Sequence, residues 1–195
     1  MSTFQLFYEV GVHHILAMDG MDHILFILAL CSIYLLRDWR RVLILITAFT
    51  LGHTLTLALV TLNFFKAQSD IIEFLIPVTI FVTAASNIWK GSSAFQRTSK
   101  FQLNYLYAAF FGLIHGMAFA NELRALLGKD DQVVTKLLAF NLGIEIGQIV
   151  VVGAFLLAGY IFIGLFGINR RDWNLVINSA IAGISLLLII EAKFW

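Results

Sequence analysis

Residues 42–65 read VLILITAFTLGHTLTLALVTLNFF, a run without a single Asp, Glu, Lys or Arg, bounded by Arg40 and Arg41 before it and Lys66 after it. About 20 mainly apolar residues carry an α-helix across a hydrocarbon core roughly 30 Å thick, so this run is long enough to cross a bilayer. In its middle stands His53. An ionisable group at such depth persists only when it is paired, faces a cavity or holds a ligand. One stretch therefore predicts both a membrane helix and a polar site inside it.

Outward from that run, the same test marks five more spans, at residues 20–36, 71–89, 103–121, 133–166 and 175–192. The expected fold is all-α, a polytopic transmembrane helical bundle of six spans forming one domain over residues 1–195. Composition agrees: 60% of the residues are apolar and only 13% charged, with a mean hydropathy of +0.89, which a soluble domain of this size does not carry. The 133–166 run exceeds one upright helix, so it tilts, extends beyond the membrane, or breaks near Gly153, Gly159 or Gly164. Residues 4–18 carry Glu9, His13 and His14 and end at the Asp19-Gly20 turn signal, which reads as an interfacial or partly inserted helix. They have no basic leader or small-residue cleavage site and are not read as a signal peptide. Net charge is +1 without any block of like charges, which argues against a nucleic-acid partner. The one cysteine, Cys31, has no partner for an internal disulfide and reads as a small core residue.

Several further polar residues fall inside or at the ends of these spans. Asp22 and His23 open the first, Glu73 the third; His115 lies well inside the fourth and Glu122 ends it; Asn141, Glu145 and Gln148 share one face of the fifth at i, i+4 and i+7. Thr47, Thr50 and Thr54 flank His53. Counting along helices at about 1.5 Å per residue puts His53, His115 and Glu145 near the midplane and Asp19, Asp22, His23, Glu73 and Glu122 near one surface. That is the outline of a cavity open to one side. Small residues at Gly112, Gly116, Ala118, Ala120, Gly143 and Gly147 predict that the fourth and fifth spans touch. A single buried histidine has an ordinary reading as a hydrogen-bonded packing residue. Several imidazoles with carboxylates at matching depths instead suit a divalent transition-metal ion, with nickel, cobalt and zinc all open. The ligands would be drawn from Asp22, His23, His53, His115 and Glu145, oriented by Asn141 and Gln148 with Glu73 and Glu122 nearby.

The same residues resemble the HupE/UreJ family of membrane proteins. One family motif, a His, five residues, then Asp-His, is similar to His14-Ile15-Leu16-Ala17-Met18-Asp19-Gly20-Met21-Asp22-His23, here with seven intervening residues. The extra length brings in Asp19 as a further candidate ligand beside His14, Asp22 and His23. A second motif, Phe-His-Gly-x-Ala-x-Gly-x-Glu, is matched by Ile114-His115-Gly116-Met117-Ala118-Phe119-Ala120-Asn121-Glu122, with Ile114 and Ala120 as departures. The stretches 48–54, 73–77 and 140–148 also resemble the family. The resemblance implies a permease moving nickel or cobalt across a membrane by facilitated diffusion, and no ATP-binding P-loop is present in the sequence.

Two functions therefore stand side by side. One is a divalent-metal permease in the bilayer, capturing its ion at an outward His/Asp/Glu site. The other is an integral-membrane zinc-dependent hydrolase with a blind outward metal site, although the sequence has no His-x-x-x-His pair on a late helix and no Gly-x-Ser-x-Gly elbow. A homo-oligomer or a larger membrane complex is compatible with either. Basic residues favour the cytoplasmic side, and the alternate loops hold eight against five of them, which predicts both termini outside, in a bacterial inner membrane. A reporter fused to the C-terminus is thus expected to be active only outside the cytoplasm; cytoplasmic activity would reverse the orientation.

Overall fold

A computed structural model describes residues 2–17, 20–64, 68–90, 101–127 and 132–192, without the side chains of 101–103, 121 and 127. The described chain is helical: α1 (Thr3–Leu16), α2 (Met21–Cys31), α3 (Trp39–Thr61), α4 (Ser69–Lys90), α5 (Phe101–Ala118), α6 (Ala120–Leu127), α7 (Val133–Gly159) and α8 (Arg170–Glu191). Capping follows local chemistry where the chain provides it. Ser2 accepts a hydrogen bond from the Gln5 amide at the start of α1, and Asn169 accepts one from the Arg171 amide at the start of α8.

Four helical stretches are long and apolar enough to cross a membrane, at Leu36–Thr61, Ser69–Lys90, Val133–Leu165 and Arg170–Glu191. A fifth arises if α1 and α2, bent by 66° at their break, count as one broken span. The expectation of six spans is met in that measure only. It differs at two places, each with a physical cause. The opening segment and the first expected span are the separate helices α1 and α2, bent by 66° to each other, and neither alone is long enough to cross. Asn104, Tyr105, Tyr107 and His115 dilute the hydropathy of α5, which is not among the four. The long fifth run does not break at Gly153; α7 continues through Gly159 into a π-helical segment, Tyr160–Leu165.

The helices carrying small residues pack most closely, though in other pairings than the sequence suggests. Gly112 and Gly116 of α5 face α3: a Cβ on Gly112 would strike the Phe49 carbonyl, and one on Gly116 the His53 carbonyl. Gly52 of α3 lies equally close to the Ala109 carbonyl. Gly143 of α7 meets the Tyr8 carbonyl and Gly11 of α1 meets the Phe140 carbonyl, so α1 lies along α7 rather than apart from the bundle. The Lys136 ammonium stands 5.3 Å over the Phe7 ring across the same seam.

Two polar seams fix the remaining helices. Across α3 and α7, Thr54 Oγ1 lies 2.7 Å from Asn141 Oδ1, Thr50 Oγ1 2.8 Å from Gln148 Oε1, and Thr47 Oγ1 3.0 Å from Glu145 Oε1. At the other end of the bundle, Asn178 Nδ2 donates to Ser32 Oγ at 2.9 Å and Asn87 Nδ2 to Asn178 Oδ1 at 3.2 Å, while Asn174 Nδ2 donates to the Asn87 carbonyl at 3.0 Å. Buried amides satisfied in this way tie α2, α4 and α8 together.

The glycine contacts give a direct test. Gly52→Ala forces backbone apart and is expected to cost about 1–3 kcal/mol, lowering the detergent melting temperature. Gly153→Ala, which meets nothing within 4 Å, is expected to leave it unchanged or raise it. Equal effects at the two positions would contradict the packing.

Candidate metal site

A straight helix would hold His14 and His23 about 13 Å apart along its axis. The break between α1 and α2 removes that distance. Ala17 closes α1, its amide donating to the His13 carbonyl at 2.8 Å, and the Gly20 amide donates to the Ala17 carbonyl at 3.0 Å. A Cβ at Gly20 would collide with the His14 carbonyl, so only glycine permits the chain to turn this tightly here. The result is an edge-to-face pair, the His14 and His23 rings 4.8 Å apart.

Two further histidines arrive from the α3–α5 pair. The His53 ring centre lies 5.7 Å from that of His23, and the His115 ring centre 5.4 Å from it. His23 is thus the hub of four imidazoles. Ligand nitrogens of His14, His23 and His53 all lie within 4.8 Å of one another. A tetrahedral ion with metal–nitrogen bonds of about 2.1 Å sets its nitrogens about 3.4 Å apart, so modest ring rotations would close the three around one ion.

Burial and hydrogen bonding separate these rings from ordinary packing histidines. His53 and His115 are 0% exposed and His23 6%. His23 Nε2, both His53 nitrogens and His115 Nε2 lack a hydrogen bond among the described residues, although Asn141 lies within interaction range of His53. Leaving a buried polar atom unmatched costs about 1–3 kcal/mol. His115 shows how one ring is prepared. Its Nδ1 lies 2.9 Å from the Phe111 carbonyl. A carbonyl only accepts, so the proton sits on Nδ1 and Nε2 carries the free lone pair that a metal ion requires.

The cluster forms the floor of a cavity of about 760 Å³. His14, His23 and His115 line its base, and the carboxylates of Glu9, Asp22, Glu73, Glu122 and Glu191 line its sides with no Lys or Arg among the lining residues. His53 does not line it and lies behind His23. Both ends of the described chain, the first turns of α1 and the last of α8, sit at this mouth. The surplus of negative charge raises the local concentration of cations.

The structure thus brings His14, His23, His53 and His115 together and places Asp22, Glu73 and Glu122 in the cavity above them. Glu145 and Gln148 sit in the α3–α7 seam with their threonine partners, and Asn141 sits there beside His53. Asp19 lies outside the described residues. Glu9, expected from the sequence to be a solvated end, instead lines the cavity, four residues before His13 and so on its face of α1. Sequence reasoning passed over Glu191, which only the tertiary fold brings to the mouth.

A family model described as HupE / UreJ protein matches residues 1–195, the whole sequence. No curated protein and no solved structure gives a significant match.

Proposed function

The chain belongs to the HupE/UreJ family, and from that premise we propose that it is a membrane permease for a divalent transition-metal ion of the nickel or cobalt type. The observation that carries this reading is the cluster of four adjoining imidazoles at the base of an acidic cavity, three of them, His23, His53 and His115, buried and each with a ring nitrogen lacking a hydrogen bond among the described residues. Nitrogen ligands of this kind suit late first-row divalent ions, whereas magnesium and calcium seek oxygen.

The residues divide the work by depth. Glu9, Glu73, Glu122 and Glu191 draw the hydrated cation to the mouth. Asp22, His14 and His23 replace its water. His53 and His115 receive it deeper in the bundle, while Glu145, Asn141 and Gln148 keep the α3–α7 seam polar alongside. Because His23 contacts the other three rings, an ion can pass between adjoining sets of ligands without returning to water at each step. Ring rotations suffice for this transfer. The cavity side is the outer side, with both termini outside. The family match gives no support to the zinc-hydrolase alternative.

The test is uptake of Ni²⁺, Co²⁺ or Zn²⁺ into proteoliposomes that enclose a metal-sensitive dye. Wild type is expected to accumulate at least one of these ions. His23→Ala should lower the rate by at least the 10–100-fold that loss of a ligand's supporting partner typically costs, about one to two orders of magnitude. Its circular dichroism should be unchanged. Undiminished uptake by a folded His23→Ala protein would overturn the reading.

A further inference from the structure

The cavity above the histidines has a counterpart at the opposite end of the same helices. A second cavity of about 390 Å³ is lined by Tyr34, Thr83, Asn87, Asn104 and Phe111, with Lys90 at the exposed end of α4. The two lie end to end. Along α2, His23 lines the first and Leu30 the second; along α4, Pro77 and then Val82; along α5, His115 and then Phe111. At about 1.5 Å per residue, only some 6–10 Å of protein separates them.

Aromatic rings fill that partition. Phe26 stacks obliquely on Phe49 at 5.1 Å and meets Phe111 edge-on at 5.4 Å. Both Phe26 and Phe49 also abut His115, at 5.1 and 5.2 Å. The floor of the first cavity and the ceiling of the second are therefore one layer, with imidazole on one side and phenyl on the other. Backbone couples them too, since the His115 ring holds the carbonyl of Phe111.

We propose that the second cavity is the release chamber of the transport path and that Phe26, Phe49 and Phe111 are the gate between it and the histidines. This rests on the permease reading above. A phenyl layer offers water and ions no hydrogen-bonding group, it can part by side-chain rotation, and ring faces attract a passing cation rather than repel it. Beyond the gate, the hydroxyl and amide groups of Tyr34, Thr83 and Asn104 offer oxygen, which binds a late transition ion more weakly than imidazole does. Such weak donors let the chamber hand the ion to water instead of storing it. Coupling through the Phe111 carbonyl lets occupation of His115 bias the gate.

The experiment is cysteine labelling from each membrane face with a charged, membrane-impermeant methanethiosulfonate, in a Cys31→Ala background. Single Thr83→Cys and Glu9→Cys variants report the two cavities. Thr83→Cys is expected to react only from the face opposite to the one that labels Glu9→Cys. Adding Phe111→Ala, or Phe26→Leu if the former does not fold, is expected to abolish that sidedness. Reaction of Thr83→Cys from the Glu9 face in the intact gate, failure to react from either face, or sidedness that survives a folded gate variant would each overturn the proposal. Labelling requires no metal, so a correctly sided chamber in a protein that transports none would defeat the permease reading alone.

Discussion

Backbone packed against backbone at glycine is the constraint on which the arrangement depends. Each histidine of the cluster sits within a turn or so of such a contact or directly on one. Gly20 lies against the His14 carbonyl, Gly116 against that of His53, and Gly112 between Phe49 and the His53 amide, one turn from His115. Helices in a bilayer gain little from burying apolar surface against each other, because lipid is equally apolar; they associate through close van der Waals packing and a few polar contacts. Glycine supplies the closeness. It brings α5 near enough to α3, and α1 near enough to α7, for imidazoles from four helices to touch without long side chains spanning the gap.

Polar groups in the core fall into two kinds, which differ in how far their hydrogen bonds are satisfied. Ser32, Asn87, Asn174 and Asn178 satisfy one another across three helices. They form a closed network with nothing left for a ligand, and their role is to hold the frame. His23, His53 and His115 differ: they are buried and mutually adjacent, and each keeps a ring nitrogen without a hydrogen bond among the described residues. Edge-to-face ring contacts account for part of this arrangement but leave the ring nitrogens unmatched; a shared cation would match them, and the carboxylate-lined cavity above would give it an approach.

Much of this was legible in the sequence, and the reasons for success and failure are physical. Charge-free runs such as 42–65 announce membrane helices because the bilayer imposes length and polarity together. His53 and His115 stood out because a lone imidazole in such a run demands explanation. The periodic faces Thr47/Thr50/Thr54 and Asn141/Glu145/Gln148 were each visible, but their pairing was not, since periodicity states which face is polar and not which helix it meets. For the same reason Gly112 and Gly116 were read as facing the helix of Glu145, whereas they pack on α3. The meeting of His14 with His23 depended on a bend at Gly20 that linear spacing along a helix does not express. Phe26, Phe49 and Phe111 were invisible as a group because phenylalanine in an apolar run carries no local signal.

If the clustered imidazoles bind a transition-metal ion two or three at a time, X-ray absorption spectroscopy of the purified, Co²⁺- or Ni²⁺-loaded protein shows it most directly. Imidazole rings produce multiple-scattering features that carboxylates and water do not. The account predicts a spectrum fitted by two or three imidazoles per ion, with fewer imidazoles in His53→Ala. An ion surrounded by oxygen alone, unaffected by that substitution, would contradict it.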